Sequence, residues 1–303
     1  MPVGIHGTTG IATANWTTGG RPSSPTAGQQ GYNTTLKQME VYLGTDWISM
    51  AGKLTATGGD TITTADGYTI HTFTSSGTFT PNKNGSVEYL VVAGGGGSAR
   101  ETWESGAGGA GGLLTATGFA CSASSALTVT IGAGGVGNQG GGTPYTGTDG
   151  SNSVFSTITA IGGGAGGKYY LSGFDGGSGG GCGGHTTAAG DIGGSATAGQ
   201  GHDGGTTVNT GARDGGSGGG GAGSAGLSSS GIHAGDGGAG LQSSINGTST
   251  YYCAGGAGSP GYPSGSYGDD GIGLVNAANR GHGGTTNEPV NGSSGVVIIR
   301  YLT

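Results

Sequence analysis

Eighty-one of the 303 residues are glycine, and most lie in long runs with no proline period. From Gly94 to about Gly284 the chain returns to blocks such as GGGG (Gly94–Gly97), GGSGGGCGG (Gly176–Gly184) and GGSGGGGAG (Gly215–Gly223). Glycine loses more backbone freedom on folding than any other residue. Such a chain stays disordered unless its backbones pack closely enough to offset that entropy. Three outcomes are compatible with the bias. A flexible linker would carry no embedded apolar strands. Collagen needs Gly at every third position and abundant proline, and 8 prolines among adjacent glycines exclude it. The third is an ordered array of polyglycine-II-type helices, left-handed with about three residues per turn and no internal hydrogen bonds. Such helices bond laterally, so glycine is required where they touch and Ala or Ser are the tolerated exceptions.

The punctuation favours order. VEYLVVA (Val87–Ala93), LTVTI (Leu127–Ile131), VFSTITAI (Val154–Ile161) and GVVIIRYL (Gly295–Leu302) are β-branched runs of strand length. The last is expected to pair with the strand that opens the glycine region. No segment has a sustained 3.6-residue period, so the fold class is all-β and irregular, with essentially no α-helix.

Three regions follow along the chain. Residues 1–52 read as a small β module, with strands near Gln30–Asn33, Gln38–Leu43 and Trp47–Met50 joined by turns at Thr34–Lys37 and Gly44–Asp46. So few residues cannot support a core alone, and the module is expected to depend on assembly with other chains. Residues 53–86 read as linker and β-hairpin. Ala51–Gly67 is small and polar, and GYTIHTFTSSGTFTP (Gly67–Pro81) alternates Tyr68, Ile70 and Thr72 against His71 and Phe73. Residues 87–303 are the glycine domain, polyglycine-type helices framed by strands.

Chemistry of catalysis is nearly absent. Net charge is −7 and the nine Lys and Arg are scattered, which argues against nucleic acid. No apolar run reaches membrane-spanning length, and the opening MPVGIHGTTG lacks the pattern of a secretory signal. GGGAGGKY (Gly162–Tyr169) approaches a phosphate-binding loop but has Tyr169 where Ser or Thr is needed. Asp175, Asp191, Asp203, Asp214, Asp236 and Asp269 sit beside glycines without the regular spacing of a calcium β-roll. His185, His202, His233 and His282 read as surface-loop residues, and Cys121, Cys182 and Cys253 as free buried thiols. No GxSxG elbow occurs. Neither an enzyme, a cofactor nor a metal is expected.

The functional signal is aromatic. Trp103, Tyr145, Tyr169, Tyr170, Phe174, Tyr262 and Tyr267 stand where the glycine pattern breaks, as do Tyr251 and Tyr252, which read as a short strand. Large side chains are unwelcome inside a polyglycine array, so they belong at loop tips or edges. Tyr and Trp dominate binding hot spots and stack on sugars; the competing role is to cap the edges of the array.

The segment RPSSPTAGQQGYNTTLKQMEVYLGTDW (Arg21–Trp47), with its Arg-Pro-x-x-Pro opening, Tyr-Asn-Thr turn and Glu-Val-Tyr-x-Gly-x-x-Trp ending, resembles a module of tail-fibre and other virion proteins of tailed bacteriophages. The stretch from IHTFTSSGTFT through VEYLVVAGGGG to GVVIIRY is similar to the glycine-rich domain of phage tail proteins. This resemblance implies a virion component, a fibre or adhesin with a polyglycine sandwich at its distal end and usually a homotrimer. The leader would attach it to other virion proteins through Tyr32, Val41, Tyr42 and Trp47. The glycine domain would meet a host-surface glycan or outer-membrane protein, without inserting in the membrane. The alternatives are a capsid-decoration or baseplate component, and a host-encoded surface adhesin.

Overall fold

The computed structural model describes residues 14–35, 38–50, 52–99, 103–138, 146–184, 192–208, 213–273, 278–286 and 291–303. The chain divides into two compact units, Met1–Leu54 and Thr55–Thr303.

In the first unit four strands form one sheet: β1 (Ala14–Trp16), β2 (Gln30–Asn33), β3 (Gln38–Tyr42) and β4 (Trp47–Ser49). β1 runs parallel to β2, and the other pairs are antiparallel. Alternation in QMEVY puts Glu40 and Tyr42 on one face and Met39 and Val41 on the other. Glu40 is buried and serves as a hub. Its carboxylate accepts from Arg21 Nε at 3.0 Å and a terminal Arg21 nitrogen, from Asn33 Nδ2 at 3.1 Å and from Trp16 Nε1 at 3.3 Å. The Arg21 hydrogen bond, reinforced by Asn33 and Trp16, holds that carboxyl down to about 2. Arg21 of the proline-flanked opening, Asn33 of the turn and Glu40 of the ending are thus three parts of one polar cluster.

The second unit opens with β5 (Ala56–Thr57), β6 (Thr61–Ala65), β7 (Tyr68–Phe73), β8 (Gly77–Pro81), β9 (Gly85–Val92), β10 (Leu113–Cys121), β11 (Leu127–Thr130), β12 (Ser153–Phe155) and β13 (Ile158–Ala160). Four short strands follow, β14 (Thr207–Val208), β15 (Ser229–Ser230), β16 (Leu241–Ser243) and β17 (Thr250–Tyr252), and β18 (Val296–Leu302) closes the chain. Two five-stranded sheets result, ordered β10-β9-β18-β7-β6 and β13-β12-β11-β8-β5. The closing strand β18 pairs antiparallel with β9, as the sequence suggests, and with β7 on its other side.

Four features depart from the sequence reading. Ala51–Gly67 is not a linker throughout, since it contributes β5 and β6. The GYTIHTFTSSGTFTP unit splits between sheets, β7 in one and β8 in the other. VFSTITAI is a hairpin that turns at Ser156, whose φ is 53°. LLTATGFAC, without a β-branched run, forms the long edge strand β10, whose register shifts between Ala116 and Phe119. Among the described residues the one helical turn is the 3-10 turn Thr18–Gly20.

The sandwich is held by side chains. Tyr89, Phe119, His71 and Tyr301 from the first sheet meet Phe79 and Phe155 from the second, with ring centroids between 4.9 and 6.3 Å apart. His71 is fully buried and satisfied: Nδ1 lies 2.6 Å from the Gly58 carbonyl and Nε2 3.0 Å from the Tyr301 hydroxyl. The opposite face of the first sheet presents Ile70, Leu90, Val92, Leu113, Val296 and Ile298 to Ile245, Tyr252 and Cys253.

Beyond the sandwich the chain is held by its backbone. Gly106, Gly109 and Gly112 donate to the carbonyls of Gly167, Gly164 and Ile161. Ala107 and Ala110 donate to Ser217 and Gly220, and Gly108 and Gly111 to Gly284 and Gly281. The carbonyls of Gly106, Gly109 and Gly112 accept from Ala99, Gly96 and Ala93, those of Ala107 and Ala110 from Gly181 and Ser178, and that of Gly108 from Gly256. Every third residue returns to the same neighbour, so one segment is bonded to six others. That is the signature of three-residue-per-turn helices packed hexagonally. A methyl group on Gly108 would run into the carbonyl of Gly96, and one on Gly219 into that of Gly108. Most of the fully buried exceptions are small, among them Ala107, Ala110, Ala165, Ser178, Ser217 and Cys182.

Candidate functional site at the far end of the glycine array

The segment leaving β9 and the one entering β10 run antiparallel, joined by bonds Ala93–Gly112, Gly96–Gly109 and Ala99–Gly106. Ala99 and the Trp103–Ser105 stretch are therefore at the end of the array opposite the sandwich. Several segments meet there. The Glu104 amide donates to the Pro260 carbonyl at 2.9 Å, and the Glu104 carbonyl accepts from Gly184 at 2.9 Å. Gly106 donates to Gly167 and Gly183 to Leu171, which brings in the Lys168–Leu171 turn.

These bonds place four of the sequence candidates around one ion pair. Arg213 Nε lies 3.7 Å from Glu104 Oε1, and its guanidinium sits 5.5 Å from the centre of the Tyr262 ring. Trp103 is half-buried directly before Glu104. Tyr169 and Tyr170 form an edge-on pair at 3.9 Å, their hydroxyls 2.8 Å apart. That shared bond raises the Tyr169 phenol above its ordinary range, and the nearby Glu104 charge adds to the effect while Arg213 opposes it. Tyr170 and Tyr262 are exposed by 47% and 43%, so two aromatic rings face outward from a fixed backbone.

The remaining candidates are not gathered there. Phe174 is exposed on a segment one step back, its amide bonded to Ala165 and its backbone neighbour Gly173 bonded to Ile192. Tyr267 is exposed further along the Tyr262 segment, next to the hydrogen bond between Ser266 and His233. Tyr145 lies outside the described residues, as do His185 and Asp191. Tyr251 and Tyr252 fall in β17, and Tyr252 is core. In the first unit the four attachment candidates divide: Tyr32 and Val41 share a face with Met39 and Ile48, whereas Tyr42 and Trp47 lie on the Glu40 face. Trp47 packs edge-on against Trp16 at 4.7 Å.

Arg213 and Glu104 were not singled out from sequence. The available signal was a charged pair, Arg213-Asp214, interrupting a glycine run.

Asp149, Asp175, Asp203 and Asp236 each accept a backbone amide, from Ala165, Ser195, Ala196 and Asp269. Asp214 is fully buried. His202 and His233 are exposed, but His282 is not a surface residue: it is 4% exposed, and its Nδ1 accepts from the Ala254 amide at 3.0 Å. Burial, with the Arg280 charge adding to it, pushes its pKa down to about 4. All three cysteines are free and buried. Among the described residues no group of three or more His, Cys, Asp or Glu is placed to hold a metal ion. The phosphate-loop look-alike Gly162–Lys168 is an array segment with Lys168 buried.

Framing strands, a backbone-bonded glycine interior and a closing strand paired with the opening one define a glycine-rich domain. The model of the glycine-rich domain family matches residues 73–302, and the chain belongs to that family. No curated protein matches the chain.

Proposed function

We propose that this chain is a virion protein of a tailed bacteriophage, a fibre component that recognises the host surface with the far end of its glycine array. The observation that carries this reading is the convergence of Trp103, Tyr169, Tyr170 and Tyr262 around the Arg213–Glu104 pair, on a scaffold held by backbone hydrogen bonds. Rigid aromatic side chains give large contact area at low entropic cost. Scaffold-borne loops can change without disturbing the packed glycines. The first unit attaches the chain to other virion proteins, and the assembly is a homotrimer in which weak contacts add across copies. No bond-breaking step is involved.

Adding purified chain to host cells before infection tests this. Competition with adsorption, lost in the Trp103→Ala/Tyr262→Ala double variant at unchanged melting temperature, is the expected result. Exposed Leu171, Phe174 and Ile192 on the flank favour a second reading, a structural component that packs against neighbours. Unchanged adsorption with particles that fall apart would assign that role instead.

A further inference from the structure

Among the described residues three arginines sit beside a glutamate, and two of them spend their donors there. Arg21 grips Glu40 through two nitrogens. Arg300 bonds Glu88 at 2.7 Å and the Ser244 carbonyl at 3.4 Å while lying over Tyr68. Arg213 differs. Its nearest carboxylate oxygen is 3.7 Å away, beyond hydrogen-bond range. Its side chain is 47% exposed, against 26% for Arg21 and 21% for Arg300. The nearest approach to Glu104 is through Nε, so both terminal nitrogens lie no closer than that to its carboxylate.

The guanidinium is nonetheless held in place. Glu104 is buried and fixed by backbone bonds to Pro260 and Gly184, and the Tyr262 ring lies against the cation. An arginine fixed by a charge and a ring, with its fork of N–H donors unspent, is organised for a planar or tetrahedral anion. Beside it, exposed Tyr170 offers a ring face and the Tyr169–Tyr170 hydroxyl pair offers donors and acceptors. An anion-binding fork next to an aromatic face and hydroxyls fits an acidic sugar better than a neutral one, because the acid pairs its charge with the cation as well as accepting its N–H bonds.

We propose that Arg213, with Tyr262, Tyr169 and Tyr170, binds acidic saccharide, a pyranose bearing a carboxylate or a phosphate. The anion pairs with the terminal guanidinium nitrogens, and the sugar face stacks on Tyr170. This rests on the reading that the far end meets a host surface.

The test starts from a bacterial strain to which the full chain adheres. Its surface polysaccharide is prepared intact, carboxyl-reduced and dephosphorylated, and binding of each form is measured at low and physiological salt. Intact polysaccharide is expected to bind, with affinity falling at higher salt. One of the two treatments should lower affinity at least tenfold, and which one does so identifies the anion. Arg213→Gln should lose as much as that treatment, and Arg213→Lys should recover part of it, both at wild-type melting temperature. Equal binding of intact and neutralised polysaccharide, or an Arg213→Gln chain that binds as tightly as wild type, overturns the acidic ligand and leaves host recognition standing. Adhesion that survives removal of polysaccharide and disappears on protease treatment of the cells overturns the saccharide in favour of a protein receptor. Adhesion to no strain of a broad panel overturns the host-surface reading, and the saccharide site with it.

Discussion

The sandwich and the glycine array lie within one unit and are held together in opposite ways. In the sandwich, large rings fill the space between sheets: Phe79 and Phe155 are fully buried and meet edge-on at 6.3 Å. In the array almost nothing is there to fill. Gly108 touches its neighbours with backbone alone, and Gly96, Gly256 and Gly284 contribute backbone in return. Removing side chains lets backbones approach until each N–H and C=O bonds a neighbour, a satisfaction that a buried backbone requires. The entropy glycine loses is offset by many lateral bonds rather than by apolar area. The sandwich also supplies what the array lacks, since interchangeable glycines cannot set their own register and the strands β9, β10 and β18 fix where segments enter.

The comparison can be broken most severely by adding one carbon. Gly219→Ala is expected to cost more than about 3 kcal/mol, because overpacking costs 1–3 when side chains can yield and here the Gly108 carbonyl must move. Gly118→Ala, where nothing lies within 4 Å and φ is +76°, should cost only about 1–2 kcal/mol from the left-handed conformation. Equal losses in denaturant unfolding would mean that the array is not packed through its backbone. In the sandwich the effect runs the other way, by subtraction. Phe155→Ala should cost about 3–5 kcal/mol, as cavity-forming aromatic truncations do.

Acid should act on both regions. His282 titrates near 4 in the folded chain, and His71 is also lowered, by burial first. The unfolded chain takes up these protons below about 6.5 and the folded chain does not. Stability is therefore full above that pH and falls as pH drops towards 4, by about 3 kcal/mol for His282. Unfolding measured at pH 7 and pH 4 checks this, and His282→Gln should reduce the slope. The smallest effect is at the far end, where Tyr262→Ala should shift stability by less than about 0.5 kcal/mol, as exposed positions do.

How much of this was legible follows from the same contrast. Strands built from β-branched runs, such as Val296–Leu302, announce themselves, and so does the β2–β3–β4 meander with its alternating QMEVY. LLTATGFAC hid because an edge strand with a register shift tolerates Gly118 and alanines. Thr61–Ala65 passed as linker because an edge strand paired on one side needs no apolar face. Glycine was readable as a requirement for contact, but the pairing of Gly108 with Gly284 is written in no residue type. At the site, aromatic residues stood out against glycine. Arg213 and Glu104 did not, since their meaning depends on turns 109 residues apart in sequence meeting at one end. His282 was misread because a histidine among glycines looks exposed until the Ala254 and Ser293 segments are packed against it.

Amide hydrogen exchange, read residue by residue in the intact chain, measures the backbone lattice directly. Gly96, Gly106, Gly108 and Gly109 are expected to be protected to the level of Val91 and Ile298 in the central strands, since all are bonded and buried. Exchange of these glycine amides at unfolded-chain rates, beside protected strands, would contradict an array held by its backbone and leave the glycine region a disordered insert in the sandwich.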